Sequence, residues 1–318
     1  MTDRTVGNLG EQWAAGLAIR AARLYRSTMR CHVIPHLKAV DVGDLDSRGV
    51  SVWLYQLQAT GEASGHALRN CLVVLSSFMR WCVDLGYAAE NPVVAVPRDR
   101  RPRVRHGSSA DVPWVQDDGT VVALMAVLRP PVDAMFYLGN RCGLRTGEIC
   151  GLRLSDLEFL GEGTIRVRYS YSGPLKEDRG DGGKCKWVPA PFDILDAIGA
   201  RLEARLAMRP APGPEDFVFL SFDGGPFTAR RGEEQVRKVW QRAVKILRKA
   251  DPPIDLGSMT WYQATRHSFA SRNLSRGATL EEVSSAMGHS SPAVTQQYYN
   301  HFIRRSFSDT LRVGLVGR

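Results

Sequence analysis

The sequence predicts a mainly α-helical protein with a small antiparallel β-sheet, divided into two domains by a basic hinge. Three observations carry this reading. Apolar residues recur at helical spacing through the first hundred positions, most clearly Leu68, Leu72, Leu75, Met79 and Cys82. A run with five arginines and two prolines follows, at 97–105. Beyond it, two β-rich segments, 164–171 and 186–189, flank a turn rich in glycine and charge. A chain of 318 residues is long for one domain, so we expect a helical domain at 1–96, a linker at 97–113 and a second domain at 114–318.

In the first domain a helix is expected over 21–36, and a second behind Ser47 as N-cap. Cys71, Phe78 and Leu85 widen the stripe of the third, which Gly86 ends as a left-handed cap shortly before Pro92. In the linker, proline opposes helix and the like charges repel, so an extended segment is expected. Its arginines, Arg98, Arg100, Arg101, Arg103 and Arg105, suit a DNA backbone better than a merely solvated face.

The second domain begins with helices over 117–128 and 132–142, the latter stopped by Gly143. Residues 217–220 offer a third strand, and Thr228 can cap a basic helix reaching about 249. Three further helices are expected over 263–274, 280–287 and 292–299. Thr279 with Glu282 makes a capping box for one, and Ser291 with Pro292 opens the last.

Composition narrows the function. Lys and Arg total 42 against 33 acidic residues, a net charge of +9, with a pI near 9.4. That balance suits a polyanionic partner, because neutralised phosphates release counterions. No apolar run approaches the roughly 18 residues of a membrane span, and the N-terminus lacks the apolar core of a signal peptide. A cytoplasmic protein without membrane contact is expected. The six cysteines form no C-x-x-C pair and read as reduced thiols. Cys31, His32 and His36 lack a second ligand cluster, so no metal is expected.

Three separated pieces carry chemistry. Gly143-Leu144-Arg145-Thr146-Gly147-Glu148 puts an arginine at a turn between helices, and Arg266-His267-Ser268-Phe269-Ala270 puts another on an apolar-faced helix. Met287-Gly288-His289 is followed nine residues after the histidine by Tyr298. Transfer of a phosphodiester to tyrosine needs cations on the non-bridging oxygens, a nucleophile and a proton donor for the leaving oxygen. Arginine suits the first task, since its fork stays charged and binds phosphate bidentately.

In order and spacing these pieces resemble the boxes of the tyrosine site-specific recombinase (phage integrase) family: G-L-R-x-x-E, a hairpin lysine, H-x-x-R-H, and L-G-H followed by tyrosine. The resemblance covers nearly the whole chain. It implies a helical, SAM-like core-binding domain followed by a mixed α/β catalytic domain. It implies Arg145 and Arg266 as the phosphate clamp, Tyr298 as nucleophile and His289 as a hydrogen-bond donor to the phosphate. Glu148 would support Arg145, and His267 would be structural. Gln263 stands where the family usually has histidine; its amide donates a hydrogen bond but shuttles no proton. Among the hairpin lysines, Lys176 is favoured as general acid over Lys184, with Lys186 third. No metal or nucleotide cofactor is implied. The partners implied are double-stranded recombination sites, three further copies in a tetramer, and accessory DNA-bending or directionality proteins. A type IB topoisomerase shares the chemistry, and a non-catalytic DNA-binding accessory protein is the other alternative. The helices begin too early for an added N-terminal arm-binding domain, which points to a compact recombinase of a mobile element or replicon.

Overall fold

The computed structural model describes residues 3–18, 22–61, 63–102, 112–175, 185–289, 291–293, 295–296 and 299. The chain forms two compact units, 1–107 and 108–318.

The first unit is helical. Helix α1 (Val6–Gly16), unassigned from sequence, starts where the Thr5 side chain accepts a hydrogen bond from the Asn8 amide. The expected helix over 21–36 is present as a continuous helical run, α2 (Ala22–Thr28) and α3 (Ile34–Leu37) joined by a π-type turn at Met29–Val33. Helix α4 spans Ser47–Ala59, and its N-cap is Asp46, whose carboxylate accepts from the Gly49 amide at 2.7 Å. The carboxylate meets the positive helix end, and Ser47 enters the first turn. Helix α5 (Gly65–Asp84) buries the predicted stripe, and Gly86 follows it at φ +73°. Trp53 is enclosed between these elements and donates its indole N–H to the His32 carbonyl.

The basic run is not extended where it is described. Arg98–Arg100 makes one 3-10 turn, and the Arg101 guanidinium folds back onto the carbonyls of Val94 and Val96. Arg101 remains exposed while two of its N–H groups are taken up by local carbonyls. Arg103 and Arg105 lie outside the described residues.

The second unit opens with α6 (Asp118–Val127), capped by Asp117, and α7 (Val132–Cys142), buried along almost its whole length. Helix α8 (Thr146–Gly151) follows after Arg145. Strand β1 (Thr164–Val167) pairs antiparallel with β4 (Lys186–Pro189), in the register Ile165 to Val188 and Val167 to Lys186. The short β2 (Tyr169–Ser170) and β3 (Gly173–Pro174) pair beside them. The expected strand at 217–220 does not join the sheet. Phe217 and Leu220 make only single bridges, to Arg153 and Pro226, because their partners are a loop and a tight turn.

Helix α9 (Ile194–Leu206), unassigned from sequence, buries Ile194 and Ile198. Helix α10 (Ala229–Leu247) follows N-cap Thr228, whose side chain makes no capping bond. A π-type turn at Gln263–His267 leads into α11 (Ser268–Ser275), and α12 (Leu280–Met287) carries the predicted Thr279–Glu282 capping box. The cysteines are free thiols; Cys71, Cys82, Cys142 and Cys150 are buried, and burial pushes their pKa up.

Two left-handed glycines test how this packing works. A Cβ on Gly143 (φ +67°) would sit 2.5 Å from the Phe269 ring, whereas one on Gly86 (φ +73°) meets nothing within 4 Å. Gly86→Ala should therefore cost about 1–2 kcal/mol from backbone strain alone. Gly143→Ala should cost clearly more in urea denaturation, and equal losses would contradict the close packing at Gly143.

Candidate active site

The site is built around two helix ends. Helix α7 stops at Gly143 and α12 at Gly288 (φ +62°), each glycine taking the left-handed conformation that closes a helix. A helix C-terminus leaves carbonyls unpaired and carries partial negative charge. Both ends meet one guanidinium. Arg266 Nη1 donates to the Gly143 carbonyl at 2.6 Å, and Nη2 donates to the Met287 carbonyl at 2.7 Å. Arg266 is only 2 % exposed. It sits in the π-type turn, where the Ser268 amide reaches back five residues to the Gln263 carbonyl. Such turns re-aim side chains and recur at functional sites. Burial, then the neighbouring Arg145, pushes its pKa down to about 10, which leaves it charged at neutral pH.

Arg145 stands two residues beyond Gly143. Its backbone N–H donates to Glu148 Oε2 at 2.9 Å, which closes the first turn of α8, and its Nη1 donates to Oε1 at 2.7 Å. The side chain remains 47 % exposed, so part of the fork opens to solvent. Glu148 is buried and also receives Lys186 Nζ, at 2.7 Å on Oε2. Burial alone would raise the Glu148 pKa; the Lys186 and Arg145 charges outweigh it and hold the carboxyl below its usual range. Burial pushes Lys186 down to about 8, against the upward pull of Glu148.

His289 completes the group. Its Nε2 lies 2.9 Å from Arg266 Nη2, and arginine can only donate, so Nε2 is the acceptor. The ring proton is then on Nδ1, which faces Thr295 Oγ1 at 2.7 Å. Burial, followed by Arg266, Arg145 and Lys186, pushes the His289 pKa down to about 4. The imidazole expected from the sequence as a phosphate donor is, in this arrangement, a neutral acceptor for Arg266.

Two neighbours bond within the fold. His267 stacks on Tyr299, with ring centroids 5.1 Å apart, and its Nδ1 lies 2.9 Å from the buried Tyr299 hydroxyl. Gln263 Oε1 accepts from the Thr260 amide and hydroxyl, while its own N–H bonds Thr260 Oγ1. Thr260-x-x-Gln263 is thus a capping box that starts the arginine-bearing helix.

The structure therefore brings Arg145, Glu148, Arg266 and His289 together; the side chain of His267 bonds Tyr299, and that of Gln263 bonds Thr260. Tyr298, Lys176 and Lys184 lie outside the described residues. Lys186, the third choice from sequence, has its ammonium in the cluster. Strand phase is the signal that locates it: Lys186 is two residues before buried Val188, on the inward face of β4. Three cations against one carboxylate, beside a neutral imidazole, make a pocket suited to a tetrahedral oxyanion. Among the described residues, no group of three His, Cys, Asp or Glu could hold a metal ion.

Fold and site together define a basic, mainly helical protein with Arg145, Arg266 and Lys186 gathered beside one buried carboxylate. The phage integrase family model matches residues 119–305. The chain is 30 % identical over 261 residues to tyrosine recombinase XerC of Rhodospirillum centenum, covering 81 % of this chain and 68 % of the relative. XerC of Azotobacter vinelandii is 28 % identical over 265 residues, covering 80 % and 79 %. The fold is shared with the Tn1549 transposon integrase in complex with transposon right end DNA, at a TM-score of 0.70 and 19 % identity, over 96 % of this chain and 99 % of that one. The chain belongs to the phage integrase family, the tyrosine recombinases that break and rejoin DNA.

The tautomer is directly measurable. Nitrogen-edited NMR should show a neutral His289 ring protonated on Nδ1 at pH 7, titrating near pH 4. Because the folded pKa lies below the ordinary 6.5, this group's contribution to stability is complete above pH 6.5 and is lost as the pH falls toward 4. An Nε2-protonated ring, or a midpoint above 6.5, would contradict the arrangement.

Proposed function

We propose that the chain is a site-specific recombinase in which Tyr298 attacks the scissile phosphate while Arg145 and Arg266 hold its non-bridging oxygens. The tyrosine hydroxyl gives up its proton to solvent as its oxygen bonds to phosphorus, the bond to the 5′ oxygen breaks, and a 3′-phosphotyrosyl link remains. That link keeps the phosphodiester energy, so a 5′-hydroxyl of another strand can attack it, release the tyrosine and reseal the backbone. Lys176 supplies the proton to the departing 5′ oxygen, and His289 turns toward the phosphate once Arg266 engages it. Two duplexes exchange strands within a tetramer, and the substrate is a recombination site on a mobile element or replicon.

The single observation that carries this reading is the convergence of Arg145, Arg266 and His289, from three distant segments, on one basic pocket. Two further facts support it. Tyr299 is buried with its hydroxyl 2.9 Å from the His267 ring, which ties it into the fold and favours its neighbour Tyr298, nine residues after His289, for the chemistry. Helix α10 exposes Arg237, Lys238, Arg242 and Lys245, a cationic face suited to a phosphate backbone.

Nicked duplexes tiling the DNA on either side of the chain's own coding region provide the test. One of them should trap a covalent protein–DNA adduct with the wild type and with Tyr299→Phe, and none with Tyr298→Phe. Persistence of the adduct in Tyr298→Phe would remove the nucleophile assignment.

A further inference from the structure

Lys186 occupies an unusual place for a lysine. Its neighbour in the β4 phase, Val188, is fully buried, and so is its cross-strand partner Val167, while the intervening Trp187 is half exposed. The lysine stem thus runs inward, and only 14 % of the side chain reaches solvent. At its end the ammonium meets Glu148 Oε2, the oxygen that also accepts the Arg145 backbone N–H. Along the way the stem lies against the turn after α12. A Cβ on Gly288 would fall 2.8 Å from Lys186 Cδ, so residue 288 needs to be glycine for this passage as well as for its φ of +62°.

We propose that Lys186 is a positioning residue for DNA cleavage: its ammonium holds Glu148, which aims Arg145 at the phosphate, while its stem seats the turn that carries His289. This rests on the clamp reading above and deepens it, since neither Glu148 nor Lys186 need touch DNA. A carboxylate buried beside a single partly exposed arginine would pull that arginine inward. With Lys186 sharing the charge, Glu148 holds Nη1 alone and leaves the rest of the fork for the substrate. The groups facing the ammonium are Glu148, Arg145, Arg266, His289 and Cys142, and Glu148 is the anion among them at neutral pH. The proton donor to the leaving oxygen is a separate role.

The experiment uses the full chain and a nicked duplex on which the wild type forms its adduct. Lys186→Met keeps the stem against Gly288 and removes the charge. It should slow cleavage roughly ten-fold or more while leaving DNA affinity within about two-fold, the pattern of a lost transition-state contact. Lys186→Arg retains a cation for Glu148 and should recover most of the rate. On DNA with a 5′-bridging sulfur, whose leaving group needs no proton, Lys186→Met should stay slow. Cleavage by Lys186→Met at the wild-type rate would overturn the proposal. Full rescue by sulfur would overturn it too, making Lys186 the acid. A wild type that forms no adduct on any duplex would instead bring down the recombinase reading itself, and the inference with it.

Discussion

The candidate site depends on one buried charge held between two helix ends. Taking a guanidinium out of water costs several kcal/mol unless its hydrogens are satisfied. Arg266 meets that condition by donating to the last carbonyls of α7 and α12, where orphan acceptors and helix dipoles favour a cation. Arginine's fork is planar and rigid, so bonding two carbonyls at once fixes the distance between the helices that bear them. Arg145 stands two residues beyond one carbonyl, and His289 two beyond the other. Segments far apart in the chain are thereby set around a single point.

Close approach at those ends is the second condition. Phe269 of α11 presses on the bare Cα of Gly143, and Lys186 of β4 does the same at Gly288. The sheet, the π-type turn and both helix termini thus share one contact region. Charge is balanced within it by Glu148, the carboxylate between Arg145 and Lys186. The excess is positive, which leaves an opening matched to phosphate; burial first, and the neighbouring cations after it, hold Arg266 and Lys186 below their ordinary pKa.

Much of this was legible in the sequence because the decisive residues are local signals. Gly143 marks a helix end, Thr279 with Glu282 a helix start, and the two arginines and His289 follow a spaced pattern. What escaped did so for physical reasons. Helix α9 exposes Leu195 and Leu206, which blurs its apolar stripe. Arg101 folds back to donate to two carbonyls of its own unit, a local turn that a count of arginines along the linker could not reveal. The carboxamide of Gln263, read as a departure from the usual histidine, closes a capping box with Thr260 that was visible three residues upstream. Lys186 ranked third among the hairpin lysines; its phase with Val188, on the inward face of β4, is what brings it into the cluster. The long reach of Arg266 to two carbonyls has no sequence signature, since it arises from packing.

Native-state hydrogen exchange tests this account most directly, read at the backbone amides that close the two helix ends, around 143–147 and 288–289. If Arg266 ties the ends together, Arg266→Ala should lower protection at both segments by a similar factor, although they are remote in sequence, while Arg145→Ala leaves the segment at 288–289 as it was. Protection lost only within the Arg266-bearing helix, with both ends unchanged, would contradict the central role given to the buried guanidinium.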